Sequence, residues 1–397
     1  MFNSMTAANV SRSGRKLRVL HLAAMLNSGG AERWLVDVCP AGQAENLDMD
    51  IVVLYETNGL YAKAASKRGI SVFYCPGAGK PATFLRNFRR LLKQNGPYDA
   101  IHCHIHAFSG FAALAAWMEG IPVRVVHSHN VIQNSARSLA RRGYIEAARL
   151  LIRGFATAGL APSSAAAEDL FGGQWMRDPR WQVLPCGIDL SPFRAPIPPE
   201  CSRGAFGIPP DALVLGSVGR LTAEKNSEFL VDVLAAVLRR GVNAYLLLVG
   251  EGNLRDRLES IARQGGFQDR LLLVGTRSDV PALLRSIVDV FVFPSPPPPR
   301  GNEALAIAVV EAQIAGVPTI ISDGIPDEGV IVPRLVRRVA ADAGADRWAE
   351  AVTTQVKRRE TDLAEGALAE IERSSFNIAV NIKSLAALYR NAPVATN

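Results

Sequence analysis

The sequence has few cysteines, no long apolar run and no intact dinucleotide fingerprint. The five cysteines, Cys39, Cys75, Cys103, Cys186 and Cys201, are scattered and odd in number. No Cys-x-x-Cys pair occurs among them, which argues against a disulfide framework and a thiolate zinc site. They are expected to be reduced thiols that pack as small apolar side chains. No apolar stretch approaches the ~20 residues that cross a bilayer. Segment 1–16 is polar, ends in Arg12, Arg15 and Lys16, and lacks the apolar core of a signal peptide. It reads as a disordered basic tail, and the chain as cytoplasmic. No Gly-x-Gly-x-x-Gly follows the right strand. An interleaved aromatic and basic pattern of the kind that binds nucleic acid is also missing.

What is present is material for two packed cores. A chain of 397 residues exceeds the usual single core, and its 48% hydrophobic content excludes a disordered one. Lysine and arginine exceed the acids by 44 to 37, a net +7. That mild excess admits an anionic partner such as a nucleotide, a phosphorylated lipid or a membrane surface.

Short apolar runs alternate with helix-like segments. Strands are expected at Leu17–Met25, Asp50–Tyr55, Ile70–Cys75, Ala100–His106, Val123–His127 and Gln182–Pro185. Helical patterns lie between them at Ala31–Ala44, Phe84–Gln94, Gly110–Trp117 and Ala165–Phe171. The strands are apolar on both faces, as in a parallel sheet covered on each side. Leu190 to Pro210 then breaks the alternation with six prolines and reads as a hinge. A second series follows, with strands at Leu213–Val218, Tyr245–Val249, Leu271–Val274, Val290–Phe293 and Thr319–Ser322. Helices are expected at Trp348–Arg358, Leu363–Glu372 and Ile378–Tyr389. The fold class is α/β, with two doubly wound, Rossmann-like parallel-sheet domains facing across a cleft. The expected boundaries are 17–192, a hinge over 193–210, 211–374, and a C-terminal helix and tail over 375–397 that returns to the first domain.

Five patterns carry chemistry. The run from Val218 to Asn226 holds Gly219, Arg220 and Lys225 between a strand and a helix. Cations beside a helix N-terminus stabilise an anion such as a diphosphate, although one Arg and one Lys on a loop also suit plain solvation. Glu303 and Glu311 precede Gly316-Val317-Pro318. On one helix they would stand about 12 Å apart, too far to share a proton but suited to two ends of a long ligand. Gly250, Gly252 and Gly275 end strands and let backbone approach a ligand. In the first half, Asn27-Ser28-Gly29-Gly30-Ala31-Glu32 opens a helix, and Gly29 and Gly30 would bare amides to a phosphate. All six histidines lie there: His21, His102, His104, His106, His127 and His129. Alternation puts His102, His104 and His106 on one strand face. No acid or thiolate stands nearby at metal-motif spacing, so no metal site is assigned.

The ordered series resembles the family 4 retaining glycosyltransferases, the group 1 transferases of the GT-B fold. It is carried by Gly29-Gly30-Ala31-Glu32, the His-x-His strand end, Gly219-Arg220 with Lys225, Val249-Gly250-Glu251-Gly252, and Glu303-x7-Glu311 leading to Ala315-Gly316-Val317-Pro318. Val126-His127-Ser128-His129-Asn130, Ala161-Pro162-Ser163-Ser164, Leu170-Phe171-Gly172, Gly187-Ile188-Asp189 and Glu311-Ala312-Gln313 look most like capsular and exopolysaccharide transferases. The resemblance implies transfer from a nucleotide-diphosphate sugar, UDP favoured over GDP, to a glycan or lipid-linked acceptor, with no cofactor and no metal. It gives Arg220 and Lys225 the diphosphate, Glu311 the ribose, Glu303 the transferred sugar, and Gly29 and Gly30 the pyrophosphate. His129, ahead of His127, would stand near the reacting sugar.

Two departures from the family stand out. Pro296-Pro297-Pro298-Pro299-Arg300-Gly301-Asn302 lengthens the link to Glu303, and a proline run is expected to be stiff and extended. Ala304 replaces the family's glycine after the first Glu. The stretch 84–93 is also amphipathic, with Arg86, Arg89, Arg90 and Lys93 on one face, which suits a helix on an anionic membrane or one packed on a sheet. Arg137, Arg141, Arg142, Arg149 and Arg153 form a second basic run. Reversible attachment to the inner face of the cell membrane is the resulting expectation. A nucleotide-sugar epimerase of similar fold and a non-catalytic sugar-nucleotide-binding scaffold are the alternatives.

Overall fold

The computed structural model describes residues 15–27, 29–56, 59–131, 139–356 and 362–391. Most of the basic tail, Ser28 and Arg137 lie outside them, as does the side chain of Arg141. The chain divides into two units, Met1–Asp189 with Ser375–Asn397, and Leu190–Ser374.

The first unit is a seven-stranded parallel sheet. Its strands are β1 (Leu17–Ala23), β2 (Leu47–Val53), β3 (Val72–Tyr74), β4 (Ala100–Cys103), β5 (Val123–His127), β6 (Ala158–Ala161) and β7 (Trp181–Val183), in the order β3-β2-β1-β4-β5-β6-β7. Helices α1 (Gly30–Ala41), α2 (Leu60–Lys67), α3 (Pro81–Asn95), α4 (Ser109–Met118), α5 (Leu139–Phe155) and α6 (Ser164–Phe171) alternate with the strands. Strand β6 reads Ala-Gly-Leu-Ala and gives no apolar signal of its own. It is small because Phe171 and Trp181 stack 4.6 Å apart over it, and a Cβ on Gly159 would strike both rings.

The second unit has six parallel strands: β8 (Leu213–Val218), β9 (Ala244–Val249), β10 (Leu271–Leu273), β11 (Val290–Phe293), β12 (Thr319–Ser322) and β13 (Val336–Val339), in the order β10-β9-β8-β11-β12-β13. Its helices are α7 (Ser227–Arg239), α8 (Arg255–Gln264), α9 (Val280–Ser286), α10 (Ile307–Ile314), α11 (Gly344–Val356) and α12 (Asp362–Glu372). The last helix, α13 (Ile378–Asn391), belongs to the first unit and packs on α1. Among the described residues no helix is long and apolar enough to cross a membrane.

The proline-rich segment 190–210 is packed, not loose. It forms short helical turns at Ser191–Phe193, Pro199–Cys201 and Gly204–Phe206. Cys201 and Ile208 are buried in the second unit's core, and Arg203 pairs with Asp289 at 2.6 Å.

Helix α3 takes the packed one of the two readings its amphipathic pattern allowed. Phe84, Phe88, Leu91 and Leu92 are buried in the first unit's core, so its apolar face is already covered. Arg89 meets Glu119 at 2.6 Å and Lys93 meets it at 3.5 Å, while Arg86 and Arg90 are exposed. In the second basic run Arg149 donates to Glu146 and the Asp169 carbonyl, and Arg153 to the Phe171 carbonyl at 3.2 Å.

Each sheet reverses its strand order once, between β1 and β4 and between β8 and β11. Ligands of doubly wound sheets bind beyond the carboxyl ends of the strands at such points. The candidate residues gather at both.

Candidate functional site

In the second unit the site is built from the loops after β8, β9, β10 and β11. The ladder aligns Leu215 with Val290 and Gly216 with Phe291, so the loops after β8 and β11 emerge side by side. Lys225 therefore reaches Glu303, and its Nζ donates to Glu303 Oε1. Ser295 Oγ lies 3.1 Å from Glu303 Oε1 and 3.0 Å from the Glu224 carbonyl, so its one proton can serve either oxygen. Both partners of the ion pair are largely buried, with 19% of the Lys225 side chain and 6% of the Glu303 side chain exposed. Asn226 turns the chain into α7 with φ of 56°, and its Nδ2 holds the Pro294 carbonyl at 3.2 Å. Lys225 Nζ lies 5.7 Å from the centre of the Phe293 ring, on the same strand end. Arg220 sits on this loop, exposed, and donates to Glu224.

Three glycines let these loops interlock. Gly219 N–H donates to the Val249 carbonyl at 2.9 Å, and Leu221 N–H to the Glu251 carbonyl at 3.0 Å. A Cβ on Gly250 would strike the Gly219 carbonyl, and one on Gly252 would strike Leu221 backbone. Gly250 N–H donates to the Gly275 carbonyl at 2.8 Å, so all the glycine turns form one backbone cradle.

Glu303 and Glu311 do not share a helix. Helix α10 starts at Ile307, after Ala306 takes φ of 63°, and Glu303 stands on the preceding loop. The proline run is likewise not extended. It turns back so that Gly301 N–H donates to the Pro297 carbonyl at 3.2 Å. It lies over Gly324, where a Cβ would strike Pro296 and Pro297 backbone. The long link thus leaves Glu303 aimed at Lys225. Glu311 is 4% exposed on α10. Two residues on, Gln313 is fully buried. Its Nε2 donates to the Gly329 and Val309 carbonyls at 2.7 and 3.0 Å. Its Oε1 accepts from Ile331 and Val332 N–H at 2.9 Å each. This residue ties the loop after β12 to the acid-bearing helix.

In the first unit Gly29 precedes α1 and Gly30 opens it. The Glu32 carboxylate folds back against Gly29, where a Cβ would strike it. An anion at these amides meets that carboxylate first.

The histidines converge more closely than alternation alone implies. His21 and His102 are register partners across β1 and β4, and His104 N–H extends the ladder to the Leu22 carbonyl at 2.8 Å. His127 ends β5. His21 Nδ1 is 3.0 Å from His104 Nε2, and His104 Nδ1 is 2.8 Å from His129 Nε2. His129 Nδ1 is 3.6 Å from Cys186 Sγ, and His102 Nδ1 is 2.7 Å from Tyr389 Oη. His106 leaves the group, because β4 ends at Cys103 and His106 turns with φ of 51° to pair with Asp169 at 2.8 Å. Burial and neighbouring imidazoles hold the cluster neutral. His21 falls to about 3 and His129 to about 4, and His102, His104 and His127 lie well below the ordinary 6.5. Trp34 from α1 covers the rings, and its Nε1 donates to Asn381 of α13 at 3.3 Å. Trp34, Asn381 and Tyr389 carry no local motif and escape a reading of the sequence alone.

Comparisons with known proteins bear on these arrangements. Residues 28–192 match the family described as Glycosyltransferase Family 4, and residues 200–366 match Glycosyl transferases group 1. A candidate glycosyltransferase of Bacillus subtilis (strain 168), EpsF, is 36% identical over 339 residues, covering 84% of this chain and 86% of that one. A UDP-Gal:alpha-D-GlcNAc-diphosphoundecaprenol alpha-1,3-galactosyltransferase of Escherichia coli is 22% identical over 78% of this chain and 80% of its own. The crystal structure of Anabaena HepE in complex with UDP and glucose superimposes with a TM-score of 0.76 at 19% identity, covering 94% of this chain and 100% of that one.

Proposed function

The chain belongs to the family 4, group 1 glycosyltransferases of the GT-B fold, and from that membership we propose that it moves a sugar from a nucleotide-diphosphate sugar to a glycan or lipid-linked acceptor in cell-surface polysaccharide assembly. The observation that carries the proposal is the pairing of Lys225 with Glu303 over the β8–β11 reversal. Lys225, with Arg220 beside it, meets the diphosphate. Charge builds on that group as the glycosidic bond breaks, and a fixed cation in a partly dry site lowers the barrier without reorganising. The interlocked turns at Gly250, Gly252 and Gly275 bring backbone to the nucleotide. Glu311 takes the ribose hydroxyls. Glu303 exchanges Lys225 for hydroxyls of the transferred sugar.

Cationic neutralisation of the leaving group makes a metal unnecessary for transfer, and the reaction retains configuration. In the first unit the assignments of His129 to the sugar, and of Gly29 and Gly30 to the pyrophosphate, follow the family pattern. UDP is the favoured nucleotide, because the HepE structure contains UDP and the Escherichia coli relative is named for UDP-Gal. The diphosphoundecaprenol in that relative's name supports a lipid-linked acceptor. Attachment to an anionic leaflet would be electrostatic, through Arg86 and Arg90, since the apolar face of α3 is covered. Transferase relatives favour this reading over the epimerase and the scaffold.

The test is calorimetric titration of the chelator-treated protein with UDP, GDP and ADP, followed by product stereochemistry with the sugar of the base that binds. UDP binding and a retained anomeric configuration support the proposal. Failure of every nucleoside diphosphate to bind folded protein overturns it.

A further inference from the structure

Two nitrogens of one buried ring are the sharpest anomaly in the first unit. Neither Nδ1 nor Nε2 of His127 has a hydrogen-bond partner, although the residue is fully buried. A buried polar atom left unmatched is costly, so such a group asks for a ligand. Its neighbours are arranged to supply the rest of one. We propose that His104, His127 and His129 bind one divalent transition-metal ion of the zinc class.

One ligand atom from each of the three lies within 4.8 Å of the others. Ligand nitrogens around a tetrahedral zinc stand about 3.4 Å apart, so small ring rotations complete the set. Two of the three rings are already held by their far nitrogens. Cys186 holds His129 Nδ1, and His21 holds His104 Nε2, which leaves His129 Nε2 and His104 Nδ1 facing each other. Anchoring of the distal nitrogen is how proteins orient imidazole ligands. Strand β5 fixes His127, and the β1 ladder fixes His104, so the site stands on rigid elements.

The donor set selects the ion. Three imidazoles without carboxylate or thiolate suit zinc, cobalt, nickel or copper(II), and not magnesium or calcium. Cys186 Sγ stands 3.6 Å from His129 Nδ1, across the ring from Nε2, so it supports His129 instead of competing as a ligand. His104 and His129 are only half-buried, which gives the ion a way in and leaves a position for water. The second triad, His21, His102 and His104, also closes to ligand distance, but His21 and His102 are fully buried. This inference shares His129 with the reading above: an ion on His129 Nε2 excludes the sugar from that nitrogen, so ion binding and transfer compete there.

The experiment uses full-length protein without a histidine tag, stripped with chelator and titrated with cobalt(II). Visible absorption reports coordination, Trp34 fluorescence reports proximity, and elemental analysis gives stoichiometry; Trp34 lies 5.5 Å from His127 by ring centres. One ion per chain, displaced by zinc, is expected. His127→Gln should weaken binding at least 100-fold, and His106→Gln should leave it unchanged. If His127→Gln fails to fold, His129→Gln at the half-buried loop position is read in its place. Failure of the wild-type chain to bind stoichiometrically overturns the proposal, as does binding that survives His127→Gln but is lost in His21→Gln.

Discussion

Lys225 and Glu303, 78 residues apart in sequence, form an ion pair that neither local helix could make alone. The pair exists because β8 and β11 are neighbours, and both side chains are largely withdrawn from water. Removing one partner therefore has two separable effects. Lys225→Ala removes a charge-assisted contact to the diphosphate, worth about 1.5–3 kcal/mol, so UDP should bind about 10- to 150-fold more weakly. It also strands the Glu303 carboxylate and lowers the melting temperature. The double variant with Glu303→Gln should recover stability without recovering UDP affinity. Glu303→Gln alone should keep UDP and lose transfer. Calorimetry and melting curves on the four proteins decide this, and unchanged UDP affinity in Lys225→Ala would remove the lysine from the site.

Gly250→Ala and Gly252→Ala should each destabilise the second unit by about 1–3 kcal/mol and abolish donor binding. Gly250 has φ of 138°, and both new methyl groups would strike backbone of the Gly219–Leu221 turn. Gly241→Ala is the control. That glycine also has positive φ, at 74°, but its Cβ would meet open space. A loss of about 1 kcal/mol with UDP binding intact is expected there. Equal loss of UDP affinity in all three would refute the cradle.

Much of this architecture is legible in the residues, and the failures have physical causes. Apolar runs locate β1, β2, β5, β8, β9, β11 and β12 because buried parallel strands are apolar on both faces. Strand β6 is hidden because its residues are small to admit two stacked rings. Strand β13 reads Val-Arg-Arg-Val and lies at a sheet edge, where apolar content is not demanded. The acids at 303 and 311 are visible as a pair, but the left-handed turn at Ala306 that separates them leaves no trace in an alanine. The basic stripe of α3 is likewise real, while the partner of its apolar face is a matter of tertiary packing. Lys225 is visible as a loop cation; that it meets Glu303 depends on strand order, which local pattern does not contain.

Two residues of one helix should separate folding from binding. Gln313→Ala orphans the Ile331 and Val332 N–H groups and the Gly329 carbonyl, and should cost about 3–5 kcal/mol. Glu311→Gln keeps size and shape, and should weaken UDP while moving the denaturation midpoint little. Urea unfolding alongside calorimetry measures both. A Glu311→Gln protein with wild-type UDP affinity would withdraw the ribose assignment.

The thiols predict an alkaline limit to stability. All five cysteines are buried. Burial raises each of them: Cys75 and Cys201 to about 11, Cys186 to about 12, and Cys39 and Cys103 further. In the unfolded chain they ionise near 9.0. Above that pH the unfolded state has lost protons that the native state keeps, so unfolding stability falls as pH rises, whereas below it these groups contribute no slope. The urea midpoint should hold between pH 7 and 8.5 and decline from pH 9 upward. The same protonation makes the thiols poor nucleophiles. At pH 8 Ellman's reagent should label none of the five in native protein and all five in urea. A cysteine that reacts within seconds in the native chain would show that its burial, and the packing around it, has been misassigned.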